Sequence, residues 1–181
     1  MNQELRNFLR EMVSIIIIAF ILATVLRMFI VEGRVIPTGS MVPTIQPKDR
    51  VMVCKFNYYF KDPQRGDIVV FEPPEELGQK EDFIKRVIGL PGETLEVKDG
   101  KVYIDGKSLE EPYIMEEPNY EYGPVKIPEG ALFVMGDNRN LSFDSHMWNA
   151  WLRESHLKGK AFMTYWPVNR ITMLEREVIS H

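Results

Sequence analysis

The stretch Ile36-Pro37-Thr38-Gly39-Ser40-Met41-Val42-Pro43-Thr44-Ile45 divides the chain into two unlike parts, and its reading decides how each must fold. Two prolines remove backbone donors and fix φ, and Gly39 admits a conformation that a Cβ would resist, so the segment reads as a shaped loop bracketed by apolar residues. Ser40 stands at its centre beside a glycine, as a nucleophile would. A Gly-Ser pair is equally ordinary turn material, so the loop alone leaves both readings open.

On the amino-terminal side, the run from Met12 to Val31 carries one charge, Arg27. At about 1.5 Å per residue a helix over this run spans roughly 30 Å, the thickness of a hydrocarbon core. Arg27 lies close enough to the end to snorkel to the interface. A cleaved secretory signal is the competing reading, because Arg6 and Arg10 precede the apolar run; Arg27-Met28-Phe29-Ile30-Val31-Glu32 offers no small residues at a cut site, which favours a retained anchor. Residues 1–11 then form a short terminus, 12–31 the anchor and 32–181 the folded part. Charge does not orient the span, since Arg6, Arg10 and the amino terminus face Arg27 and Arg34.

On the carboxyl-terminal side the periodicity changes to short strands. Asp49–Phe56, Ile68–Phe71, Phe83–Gly89, Ala131–Met135 and Lys160–Trp166 read as strands, separated by turn material such as Pro63-Gln64-Arg65-Gly66 and Pro73-Pro74. Thr94–Lys98, Asp99-Gly100 and Lys101–Asp105 predict a hairpin, with a second turn at Asp105-Gly106. Residues 108–126, rich in Glu, Pro and Tyr, read as an extended excursion, so an insertion of hairpin and extended chain occupies about 94–130. Helical periodicity is nearly absent after the anchor, and the folded part is mainly β.

In Phe83–Gly89, alternation puts Lys85 beside Phe83 and Val87 and turns Arg86 the other way. Lys85 is then a lysine set in an apolar surface, or else an edge-strand charge that discourages aggregation. The run Gly136-Asp137-Asn138-Arg139-Asn140-Leu141-Ser142-Phe143-Asp144-Ser145-His146 is too dense in hydrogen-bonding groups for an ordinary turn. Trp148, Trp151 and Trp166 suit either a membrane-contacting surface or core packing.

Composition narrows the function. With 181 residues, net charge −4 and 45% hydrophobic residues, the chain has neither the basic cluster nor the zinc-finger spacing of a nucleic-acid binder. Its single cysteine, Cys54, excludes an internal disulfide, and three scattered histidines, at 146, 156 and 181, give no metal-ligand spacing, so neither metal nor cofactor is expected.

Taken in order, these pieces resemble the bacterial type I signal peptidases, membrane-anchored serine endopeptidases that remove signal peptides from exported proteins. The resemblance runs from the anchor to about residue 171 and rests on Pro-Thr-Gly-Ser-Met-Val-Pro-Thr at 37–44, Asp-Arg-Val-Met-Val-Cys-Lys at 49–55, Arg-Gly-Asp-Ile-Val-Val-Phe at 65–71, Lys-Arg-Val-Ile-Gly-Leu-Pro-Gly-Glu at 85–93 and Gly-Asp-Asn-Arg-Asn at 136–140 with Ser142, Asp144 and Ser145 beyond it. It implies an antiparallel β catalytic domain of partly closed-barrel character behind one transmembrane helix. By the same resemblance Ser40 is the nucleophile, Lys85 the general base, Ser40 N–H and the Thr38 hydroxyl the oxyanion donors, and Ser142 and Asp144 the support of the lysine. Ile36, Met41, Ile45 and Phe83 match positions lining shallow pockets for small residues, which suits Ala-x-Ala sites. The implied partners are signal peptides and the bilayer of the cell membrane, with the amino terminus cytoplasmic and the catalytic part outside.

Chemistry explains the lysine: an ordinary amine is protonated at neutral pH, so an apolar pocket, and on this reading the neighbouring Arg86 charge, must disfavour the ammonium. His146 departs from the family, which commonly has arginine there. Three other readings compete. A Ser/His/Asp hydrolase built from Ser40, Asp144 and His146 lacks the Gly-x-Ser-x-Gly elbow and its alternating helices. Self-cleaving repressors share the Ser/Lys chemistry but have a DNA-binding domain in place of the span. A catalytically silent, anchored β module that binds exported chains has no need of Thr38, Ser40, Lys85 and Ser142 together.

Overall fold

The computed structural model describes residues 3–29 and 31–176, the side chains of 25–29 excepted. The Arg27 side chain, Ile30 and His181, and any apolar patch built on the Phe29 and Ile30 side chains, lie outside the described residues. Helix α1 runs from Gln3 to Phe29 and is long and apolar enough to cross a membrane over Gln3–Thr24. It starts earlier than the apolar run, because Gln3–Glu11 holds good helix formers and no breaker. It also stops earlier, since Val31 already belongs to the first strand.

The strands are β1 (Val31–Val35), β2 (Arg50–Cys54), β3 (Ile68–Phe71), β4 (Phe83–Gly89), β5 (Thr94–Lys98), β6 (Lys101–Ile104), β7 (Lys107–Ser108), β8 (Tyr122–Lys126), β9 (Ala131–Met135), β10 (Leu152–Arg153), β11 (Leu157–Trp166) and β12 (Thr172–Met173). Eight form one curled antiparallel sheet, a half-barrel in the order β1-β2-β11-β3-β4-β9-β10 with β12 on β11. The other four form a smaller sheet, β7-β6-β5-β8. The fold is therefore mainly β behind one apolar helix.

The β-branched runs at 68–71 and 83–89 are buried on both faces, as the middle of a covered sheet requires. Along β4, Ile84 packs with Ile36, Met41 and Ile45, and Val87 packs with Val69, Phe71 and Trp148 on the opposite side. The hairpins turn where their sequence demands: Asp99 and Gly100 have φ of 51° and 74°, Asp105 and Gly106 of 48° and 79°, the positive pairs that match the twist of the flanking strands. Five strands were not legible: β1, the two-residue β7, β10 and β12, and β8. Tyr122–Lys126, inside the expected excursion, pairs with β5 as β8 in spite of a Gly-Pro step, which an edge strand tolerates.

The 36–45 loop is fastened at both ends. Ile36 N–H donates to Asp49 O and Ile45 N–H to Met41 O, each at 2.9 Å, while Met41 and Ile45 are fully buried. Anchoring both flanks holds the Ser40 turn against the sheet.

Candidate active site

Strand β4 lies between β3 and β9, so Lys85 is on a central strand and the edge-strand reading falls away. Lys85 pairs with Val69 across β3 and shares its face with Phe83 and Val87, leaving the residue 5% exposed. Its Nζ lies 2.7 Å from Ser40 Oγ, and Ser40 is itself buried. Thr38 Oγ1 is 3.4 Å from the same oxygen. These three groups come from two segments, and the fastened loop is what brings them together.

Burial pushes the Lys85 amine down to about 8, opposed first by the Asp144 carboxylate and then by Asp137. The dominant cause is loss of water, which destabilises the ammonium and leaves the free amine unharmed. The role expected for Arg86 changes. Its guanidinium faces away and is held bidentately by Asp137, at 2.8 and 2.7 Å, with a further bond to Gly66 O and the Tyr113 ring 3.9 Å from Cζ. A cation so paired contributes structure, and desolvation carries the lowering of the amine.

Asn138 N–H donates to Ser40 O at 3.0 Å, tying the nucleophile's backbone to the polar run after β9. The Ser40 amide itself makes no hydrogen bond among the described residues, so it is available to an incoming oxygen. Gly136 has no room for a side chain: a Cβ there would collide with Ser142 Oγ and Ser40 O. Ser142 is buried and its hydroxyl has no partner among the described residues. Asp144 is fully buried, accepting Gly136 N–H at 3.0 Å and lying 2.5 Å from His146 Nδ1. The histidine thus belongs to Asp144, and the base within reach of Ser40 is Lys85.

An open cleft of about 490 Å³ runs over the pair, lined by Thr38, Ser40, Phe83, Lys85, Leu141 and Phe143 among others. Of the expected pocket residues, Phe83 lines this cleft and Ile36 lines the adjoining depression along Val35, Pro37 and Glu81. Met41 and Ile45 are fully buried behind it, in the cluster that holds Ile36 and Ile84. Trp148 is core, Trp151 packs against Phe133 in the cluster around Ile88, Leu95 and Val97, and Trp166 is half exposed.

Several supporting residues carried no sequence signal. Glu111, from the excursion, holds the buried Arg139 bidentately at 2.7 Å in both contacts, and Tyr113 packs over Arg86. Met115 N–H donates to Asp137 O. The small sheet's connecting chain therefore buttresses the polar run from the outside, which only long-range packing reveals.

Comparison with known proteins bears on the same residues. A family model described as signal peptidase, peptidase S26, matches residues 9–166. The probable signal peptidase I-2 of Synechocystis sp. is 48% identical over 176 residues, covering 93% of this chain and 80% of that protein. A signal peptidase I of Leptolyngbya laminosa is 47% identical over 168 residues, covering 90% and 82%. A signal peptidase I of Bacillus licheniformis is 38% identical over 176 residues, covering 92% and 93%. The match takes in the anchor, the serine loop and the lysine strand together, and the chain accordingly belongs to the signal peptidase family, peptidase S26, as a serine peptidase acting on the signal peptides of preproteins.

Proposed function

We propose that this chain is a membrane-anchored endopeptidase that cuts signal peptides after small residues at Ala-x-Ala sites, with Ser40 as nucleophile and Lys85 as general base. The single observation that carries the reading is the 2.7 Å separation of a buried lysine amine from a buried serine hydroxyl. An amine pushed down to about 8 is neutral in a useful fraction of molecules near physiological pH. When it is neutral, the Ser40 O–H donates to it.

The chemistry follows from that pair. Ser40 Oγ attacks the scissile carbonyl as its proton passes to Lys85 Nζ. The oxyanion accepts hydrogen bonds from Ser40 N–H and the Thr38 hydroxyl. The Lys85 ammonium then protonates the leaving amine as the C–N bond breaks; the free amine next takes a proton from water as its oxygen attacks the acyl carbon, and returns that proton to Ser40 Oγ as the acyl C–O bond breaks. Ser142 and Asp144 support the lysine; the Ser142 hydroxyl, without a partner among the described residues, suits that task.

A peptide lying extended along the cleft presents alternate side chains to it, so two small residues separated by one are what the site would read. Phe83 and Ile36 would meet those side chains, and Met41 and Ile45 would limit pocket depth from behind. As topology, we assign the amino terminus to the cytoplasm and residues after about 32 to the outer side of the cell membrane.

Contact with the bilayer surface has separate support. Phe56, Tyr59 and Phe60 are 45%, 77% and 73% exposed, with the Phe56 ring against both others, just beyond Cys54, which pairs with Val31 at the foot of the helix. Aromatic rings at that height suit a membrane interface.

The test is cleavage of a preprotein with an Ala-x-Ala site by the full-length enzyme in detergent, with Ser40→Ala and Lys85→Met alongside. Both variants are expected to be inactive and folded. Cleavage by Lys85→Met, or loss of cleavage in His146→Ala with Lys85 dispensable, would return the Ser/His/Asp reading. Protease protection in sealed vesicles checks the topology.

A further inference from the structure

Asp49 closes the loop that carries Ser40. Its main-chain oxygen accepts the N–H of Ile36, on the near side of Ser40, and its carboxylate Oδ2 accepts the N–H of Gln46, on the far side, each at 2.9 Å. Asp49 N–H donates to Gln46 O at 3.1 Å, and Lys48 N–H to Ile36 O at 2.7 Å. One buried residue therefore ties both ends of the loop together. The path of the turn between those ends, which brings Ser40 Oγ to 2.7 Å from Lys85 Nζ, depends on that closure.

The Asp49 carboxylate is itself gripped from the far end of the chain. Arg170 Nε lies 3.1 Å from Oδ1 and Nη2 2.8 Å from Oδ2, a two-pronged contact that fixes the plane of the carboxylate as well as pairing its charge. Oδ2 is the same oxygen that receives Gln46 N–H. A tight turn places Arg170, its own N–H donating to Pro167 O at 2.9 Å, and β12 follows on the edge of β11. Leu174 comes next; its N–H donates to Phe162 O at 2.8 Å, and its side chain is buried in the cluster of Ile36, Met41 and Ile45. The segment 167–174 thus meets the serine loop twice, with Arg170 at its hydrogen-bonded closure and Leu174 at its apolar side.

A second arginine nearby provides a contrast. Arg176 Nε lies 3.1 Å from Asp67 Oδ1, and its guanidinium also reaches Gln64. Asp67 is bonded besides to Lys160, Tyr58 and the Gln64 N–H, all of them outside the loop. The two ion pairs are alike in chemistry and differ in what their buried carboxylate holds.

We infer that Arg170 is a positioning residue for the nucleophile: through Asp49 it fixes the closed form of the 36–46 loop, in which Ser40 Oγ meets Lys85 Nζ. This rests on the reading of Ser40 as nucleophile. Without the guanidinium a buried carboxylate loses its charged partner, draws toward water and loosens its hold on Gln46 N–H. A displacement of about 1 Å at a reacting group, caused from a distance, costs about 10²-fold in rate. Peptide binding is spread along the cleft, so the loss falls on kcat more than on KM. The Arg170 side chain is 31% exposed, so its replacement opens no core cavity.

The experiment is steady-state cleavage of an Ala-x-Ala peptide by the full-length enzyme in detergent, comparing wild type, Arg170→Gln, Arg170→Lys and Arg176→Gln, with urea unfolding of each. Arg170→Gln is expected to lose about 10–10²-fold in kcat with KM within about twofold. Arg170→Lys, which keeps the charge without the second prong, should lie between it and wild type, and Arg176→Gln should keep the wild-type kcat. Amide hydrogen exchange gives a readout independent of activity: the Ile36 and Gln46 N–H groups should exchange about tenfold faster in Arg170→Gln and at the wild-type rate in Arg176→Gln. Unchanged kcat or unchanged exchange in Arg170→Gln overturns the inference, as does an equal loss of kcat in Arg176→Gln. If Arg170→Gln does not fold, Leu174→Ala takes its place, and a wild-type kcat there overturns it equally. Cleavage by Ser40→Ala would instead sink the reading of Ser40 as nucleophile, a result that the Arg170 variants do not imitate.

Discussion

Replacing Lys85 by methionine is expected to destroy activity and, at neutral pH, to stabilise the fold. The side chain is 5% exposed and its amine falls from the ordinary 10.5 to about 8. That fall corresponds to roughly 3 kcal/mol of unfavourable burial of the ammonium wherever both folded and unfolded chains are protonated, below pH 8. Methionine has a similar shape and no charge, so it opens no large cavity; losing the contact to Ser40 costs about 1 kcal/mol. The variant should therefore be more stable by about 2 kcal/mol at pH 7. Between about 8 and 10.5 the unfolded wild-type chain binds more protons than the folded one, so wild-type stability rises with pH and the difference closes. Above that window the variant should be slightly the weaker. Urea unfolding of both full-length proteins in detergent, followed by fluorescence of the tryptophans and run at pH 7 and pH 10.5, measures this. Cleavage by the variant should fall by about 10²–10⁴-fold or more. A stability difference that ignores pH, or a variant that is less stable at pH 7, would show that Lys85 is not a desolvated amine.

Thr38→Val removes the hydroxyl proposed as an oxyanion donor and should lower kcat by about 10²-fold with little change in KM, while Thr38→Ser retains activity; steady-state kinetics on a peptide substrate distinguish them. Wild-type kcat/KM should climb as pH rises toward about 8, because in the proposed mechanism the amine of Lys85 must first lose its proton. Gly136→Ala drives a methyl into Ser142 and the Ser40 carbonyl and should abolish cleavage, with a lowered unfolding midpoint. Asp137→Ala leaves the buried Arg86 guanidinium without its bidentate partner and should destabilise the fold by about 3–5 kcal/mol in the same urea assay.

Local sequence carries information where a short stretch suffices to decide a conformation. The helix follows from apolar length, the hairpins from Asp-Gly pairs that accept positive φ, and strands β3 and β4 from β-branched runs bounded by Gly and Pro. The alternation that put Lys85 with Phe83 and Val87 was also legible, because a strand has a period of two whatever surrounds it. Where it proved incomplete was Arg86. Its partner Asp137 stands 51 residues away, so the cation looked available to depress Lys85 when it was already paired. Strand β8 escaped because its pairing with β5, and not its own composition, makes it a strand.

What the amino-acid order determined by itself is a membrane-length helix, a shaped serine loop and a set of short strands, each the outcome of neighbours a few residues apart. Whether Lys85 is wet or dry depended on β3 and β9 closing on either side of β4 and on the 36–45 loop folding over it. Desolvation is a property of the assembled surroundings, since water is removed only when distant segments meet. The basicity of the amine, and with it the chemistry, was therefore decided by the tertiary structure.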